Sequence, residues 1–183
     1  MKFLEDLTGA PFRFTARPIA IPPDLRPVWR MTILVLFLQR CCRQGKSSLK
    51  KLHVLNWAIR HPASRQTLLD VLEGRARPDR AIVRFDPALN RALDLAKGEK
   101  LVEQVAGDRF QITAKGQLLA EEAMRDPECL TSEKWFMSEV ASRVTETQIN
   151  RLVGRNSKRI PAVLATRQDS QVEIRTILFI VCT

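Results

Sequence analysis

Apolar positions recur at helical spacing through most of the chain. From Met31 to Leu38 nearly every position is apolar, and a helix with that pattern sits at the centre of a domain or beneath another chain. Asp24 is placed to cap this helix, and Pro27 falls in its first turn, where a missing N–H does no harm. The pattern carries it to about Cys42, where Gln44-Gly45-Lys46 stops it. Ser47 or Ser48 then caps a second helix, in which Leu49, Leu52, Leu55 and Ile59 line one face. Val54, Trp57 and Ala58 add a second apolar flank, and Pro62 ends the run. A third helix is predicted from about Ala63 to Arg75, with Leu68, Leu69, Val71 and Leu72 turned inward. "AIVRFD" reads as a brief strand. Leu89, Ala92, Leu93 and Ala96 then mark a helix from Ala88 to about Ala96, broken by Lys97-Gly98-Glu99-Lys100.

The pattern next changes period. Leu101, Val102 and Val105 form one strand, Gly107-Asp108 a hairpin turn, and Phe110 with Ile112 the returning strand. Thr113 caps a helix bearing Leu118, Leu119, Ala123 and Met124. "RFQITAKGQLLA" thus combines a pleated strand, a helix cap and a glycine that permits close helix packing. Helices leading into a two-stranded hairpin and a Thr-capped helix follow the order of a winged-helix domain. The alternative is a plain α+β domain with an incidental hairpin.

The predicted architecture is therefore mainly α, of the α+β class. Residues 1–23 form an irregular N-terminal arm, broken by Pro11, Pro18, Pro22 and Pro23. Residues 24–126 form the winged-helix domain. Across 127–154, Thr131 or Ser132 caps a helix to about Arg143 that carries Trp135, Phe136 and Val140. Thr145 starts another, with Ile149, Leu152 and Val153. These apolar faces have no evident home in a small winged-helix core, so Trp135, Phe136 and Val140 are expected at a partner interface or on an extension of the core. Residues 155–183 are a tail of undefined structure, and its "TILFIVCT" would be a sticky strand unless paired.

Composition adds one bias and removes several chemistries. The chain of 183 residues carries 30 Lys and Arg against 20 Asp and Glu, a net +10. Residues 1–100 hold 19 basic and nine acidic residues, and 101–150 hold five and nine. A basic first half facing nucleic acid and a more acidic region facing protein is one reading, and solvated arginines on helix faces are the other. The longest apolar stretch is far short of the roughly 20 residues that span a bilayer. Without a signal peptide, the four cysteines read as reduced thiols of a cytoplasmic protein. Cys41 and the adjacent Cys42 are placed in the core, and no pair has the spacing of a zinc knuckle.

No catalytic constellation stands out. His53 and His61 lack nearby carboxylate or thiol partners, and there is no phosphate-binding loop or nucleophile motif. The expectation is a non-enzyme without cofactor or metal. The basic residues remain as candidates. Lys50 and Lys51 open the second helix, and Arg75, Arg77, Arg80 and Arg84 crowd the turn and strand before the fourth. With only Asp79 and Asp86 nearby to match the arginines, these six are assigned to the backbone phosphates of double-stranded DNA. Phosphate contacts need only reachable donors and carry no base information, so no sequence preference is implied.

Three stretches carry a family resemblance: "RCCRQGKSSLKKLHVLNWAIRHP", "GDRFQITAKGQLLAEEAM" and "SEKWFMSEVASRVTETQINRLVG". Together they resemble the middle component of three-component ABC-ATPase systems, the SMC-like, Lamassu-type antiphage and antiplasmid systems. The similarity covers about Asp24 to Gly154, and the C-terminal "DSQVEIRTILFIVCT" has no place in it. The resemblance implies a winged-helix accessory subunit that joins an SMC-like ABC ATPase, expected as a dimer, to an effector subunit such as a nuclease, with catalysis left to those partners. A winged-helix transcription regulator is the alternative, and an antitoxin-like inhibitor is a third.

Overall fold

The computed structural model describes residues 22–153 apart from Asp79, Arg80 and Ile82, and of Pro23 and Ser142 the backbone only. The expected arm up to residue 21 and the tail from 154 lie outside the described residues. The architecture is mainly helical with a small antiparallel sheet.

Helix α1, Pro27–Cys41, is the axis of the molecule. Its apolar run is buried on every side, with Ile33 to Leu38 at most 1% exposed, so it is the central helix and is covered by its own chain. It begins later than expected. Pro27 supplies the first helical position, Arg26 precedes it without a side-chain cap, and Asp24 sits instead in a single turn, Pro23–Leu25. Consecutive left-handed residues, Gln44 at φ 56° and Gly45 at φ 67°, reverse the chain after it.

A strand that the hydrophobic pattern does not disclose follows: β1, Lys46–Ser48. It pairs antiparallel with β3, Arg109–Ile112, setting Ser47 opposite Phe110. Two serines and a lysine have little strand preference. The edge of β3 supplies the ladder instead. Ser48 also caps α2, Leu49–Arg60, by accepting from the Lys51 N–H at 3.2 Å. His61 is extended, as the residue before a proline should be, and Pro62 opens α3, Pro62–Leu72. Helix α3 ends before Gly74 at φ 75°, three residues short of the expected Arg75.

The strand expected in "AIVRFD" does not form among the described residues. One edge of β3 belongs to β1 and the other to β2, Val102–Ala106, so β3 has no edge to offer it. Ala81 and Val83 are held by burial, and Asp86 caps α4, Pro87–Gly98, accepting from the Ala88 N–H at 2.9 Å. The hairpin β2–β3 turns at Gly107, with a bulge between Gln104 and Ala106. Thr113 caps α5, Ala114–Arg125, accepting from the Gly116 N–H at 3.1 Å. Gly116 is required for this approach. A methyl group there would overlap the Leu101 carbonyl oxygen and come within 2.9 Å of Ile112 Cγ1. Of the apolar residues on this helix, Leu119 and Ala123 are buried and Leu118 is 55% exposed.

Two further helices complete the described chain: α6, Thr131–Val140, and α7, Glu146–Val153. Neither Thr131 nor Ser132 caps α6; Leu130 precedes it in the left-handed region. Helix α7 has a reciprocal cap in which Thr145 Oγ1 accepts from the Gln148 N–H at 3.3 Å and Gln148 Oε1 accepts from the Thr145 N–H at 2.9 Å. Helix α6 packs on α1 and α3, and α7 on α2. Phe136, Met137, Val140, Val144, Ile149, Leu152 and Val153 therefore belong to the same core as α1.

Candidate nucleic-acid and partner interface

The six basic candidates do not form one patch. Lys51 is buried, 6% exposed. Its ammonium donates to the Cys41 carbonyl at 2.7 Å and the Val144 carbonyl at 2.6 Å. It faces the end of α1 and the approach to α7, so the assignment to DNA phosphate is overturned for this residue. Carbonyls in the last turn of a helix lack intrahelical partners, and a cation there also meets the negative end of the helix dipole. Lys51→Met keeps the stem and strands both carbonyls. It is expected to cost about 2–3 kcal/mol, read as a shift in the urea midpoint at unchanged slope; a loss below about 0.5 kcal/mol, an ordinary surface value, would contradict the role.

Arg75 is exposed but matched. Asp70 Oδ1 accepts from its Nε at 3.0 Å and its Nη2 at 2.7 Å, and Glu73 pairs with Nη1. The Arg75 hydrogen bond, helped by one from Gln66, holds the Asp70 carboxyl below its ordinary value. Both carboxylates come from the end of α3 and its turn, just before Arg75 in the chain. Arg77 and Arg84 are exposed, Lys50 is half-buried, and Arg80 lies outside the described residues.

Nor is Asp86 spent on that cluster. It accepts from Arg30 Nη1 at 2.6 Å and Arg60 Nη1 at 3.0 Å, while Arg60 Nη2 reaches Asp24 at 3.0 Å. Burial pushes the Asp86 carboxyl up, but the hydrogen bonds from Arg30 and the Ala88 N–H, with both guanidinium charges, outweigh it and hold the group below its ordinary value. Arg30 is buried in an apolar stretch of its helix, where a charge requires a counter-ion.

The expected partner face divides in the same way. Phe136 and Val140 are 0% exposed and lie inside the chain's own core, the core extension that was one of the two places expected for them, so neither is left for a partner interface. The Arg65 guanidinium carbon lies 5.8 Å from the Phe136 ring centroid, within cation–π range, and Arg65 also donates to the Ile59 carbonyl at 2.7 Å. Trp135, one residue earlier, is 55% exposed and stays available to a partner.

No protein-family model, curated protein or solved structure matches the chain.

Burial pushes the Cys41 thiol up to about 12, and burial raises Cys42 as well, so neither is a reactive thiolate near neutral pH. The reading of all four cysteines as reduced thiols does not hold for Cys129, which is disulfide-bonded. His53 is buried on α2, with Nε2 3.2 Å from Asn90 Oδ1 and its ring edge-on to Phe85 at 4.7 Å. Among the described residues no group of three His, Cys, Asp or Glu is placed to hold a metal ion, and no helix is long and apolar enough to cross a membrane.

Proposed function

We propose that this chain is a non-catalytic winged-helix accessory subunit bridging an SMC-like ABC ATPase and an effector, such as a nuclease, in an antiphage or antiplasmid defence complex. The order α1-β1-α2-α3-α4-β2-β3-α5, with the sheet ordered β1-β3-β2, supports the winged-helix part of the reading. In that arrangement α4 takes the place of the recognition helix and β2–β3 is the wing.

The observation that carries the assembly role is the character of this face. Helix α4 exposes Arg91 and an ion pair between Asp94 and Lys97 at 2.9 Å, and the hairpin exposes Glu103, Asp108 and Arg109. Those charges cancel, whereas a face that binds DNA should carry excess positive charge. The same two elements also expose Leu95 at 47% and Val105 at 46%. A balanced, partly apolar helix and wing suit a protein partner better than an operator. Backbone contact with duplex DNA is left to Lys50, Arg77, Arg80 and Arg84.

The test is the double variant Leu95→Glu/Val105→Glu, co-expressed with the proteins encoded by neighbouring genes. Both side chains are exposed, so its own stability should change by no more than about 0.5 kcal/mol per site. The reading expects it to fold normally and to lose the ATPase on co-purification. Retention of the ATPase by the folded double variant would refute the assignment of this face.

A further inference from the structure

A cleft of about 430 Å³ opens where α2 gives way to α3, lined by Asn56, Trp57, Arg60, His61, Ser64, Arg84, Phe85 and Asp86. That volume falls within the range of small-ligand sites. From its lining and partners, we infer that this cleft binds a phosphate-bearing ligand, recognised through a single phosphate group. The inference does not depend on the assembly reading.

Three observations converge. Asn56 lines the cleft, is only 2% exposed, and its amide nitrogen Nδ2 has no hydrogen-bond partner. A buried donor left unpaired is costly, and its natural complement is an acceptor brought by a ligand. Arg84 is exposed at the rim and has no carboxylate partner among the described residues. The wall also supplies the Ser64 hydroxyl, the His61 ring and the Trp57 indole, all able to donate.

The electrostatics select an anion. Among the described residues the single carboxylate in the lining, Asp86, is already engaged by Arg30, Arg60 and the Ala88 N–H. Among the described residues, three guanidinium groups, Arg30, Arg60 and Arg84, stand against two carboxylates, Asp24 and Asp86, leaving one net positive charge. A planar guanidinium fork beside neutral donors matches the tetrahedral oxygens of a phosphate.

Two sources could bring that group, a free nucleotide or the backbone of duplex DNA, and titration calorimetry on the full chain separates them. The probes are inorganic phosphate, a nucleoside 5′-monophosphate, a short duplex DNA and a glutamate-rich peptide. Saturable binding of inorganic phosphate is expected, competed by the monophosphate. Arg84→Ala should weaken it about tenfold or more, as expected for one charge-assisted hydrogen bond. Asn56→Leu should weaken it too, with circular dichroism confirming its fold; Arg84 is on the surface, so its variant stays folded in either case. Tighter binding of the monophosphate than of phosphate identifies a free nucleotide. Displacement of duplex DNA by phosphate, with loss of duplex affinity in Arg84→Ala, identifies the backbone. Absence of saturable phosphate binding, equal affinity in wild type and Arg84→Ala, or binding of the acidic peptide without competition by phosphate would each overturn the inference.

Discussion

Phe136→Ala is expected to destabilise the chain by about 3–5 kcal/mol, while Trp135→Ala changes stability by no more than about 0.5 kcal/mol. The two aromatic residues are neighbours on α6, yet Phe136 is fully buried against the shared core and Trp135 is 55% exposed. Truncating Phe136 removes its apolar contacts, opens a cavity between α6 and its neighbours, and takes the ring from beneath Arg65. Urea unfolding of the two single variants separates these outcomes. Similar small losses for both would mean that the helices after residue 127 do not dock on the domain. If Trp135 serves a partner, its truncation should lower the yield of complex while the free chain keeps its midpoint.

Acidification from neutral pH to about pH 4 should remove about 3 kcal/mol of stability through His53 alone. Burial lowers its pKa from 6.5 to about 4, against smaller raising effects of the Asn90 hydrogen bond and the Asp86 charge. With Asn90 Oδ1 accepting from Nε2–H, the bare nitrogen is Nδ1, which is buried without a partner. Protonation would create a buried N–H with no acceptor. Because the folded-state pKa lies below the unfolded one, the unfolded chain binds more protons between them. The stabilisation is therefore complete above pH 6.5 and is lost as pH falls towards 4. Asp86, held below its ordinary value, adds a further loss at still lower pH. An NMR titration that placed the His53 midpoint near 6.5 would contradict this, as would a urea midpoint unchanged between pH 7 and pH 4.

Most of the helical framework was legible because its signals are local. Ser48, Thr113, Pro27 and Pro62 act at the positions their chemistry suggests, and the run from Met31 to Leu38 reads as buried because nothing polar interrupts it. What sequence could not supply was long-range. Strand β1 exists because β3 passes beside it, some sixty residues later in the chain. Position 51 looks like any surface lysine of a basic stretch until the carbonyls of Cys41 and Val144 close around it. Phe136 and Val140 looked surplus to a small core because the reach of α1 as a packing axis cannot be judged from its own residues. The ion network joining Arg30, Asp86, Arg60 and Asp24 spans separations of 26 to 56 residues, beyond any spacing rule.

With Lys51 internal, Arg75 matched and Phe136 buried, the large apolar side chains exposed among the described residues are Leu25, Leu95, Val105, Leu118 and Trp135. Large apolar side chains scattered over a surface need no explanation, but Leu95 and Val105 lie on α4 and the β2–β3 hairpin, the elements that the proposed winged-helix reading turns towards a target.

The central claim, that the chain works as a subunit of a larger assembly, is tested most directly by native mass measurement of the tagged protein purified with the products of its neighbouring genes. The account predicts one species containing this chain, an ABC ATPase and an effector, dissociated by Leu95→Glu/Val105→Glu. A self-contained homodimer that leaves those proteins behind and binds a palindromic DNA site would contradict it and identify a regulator instead.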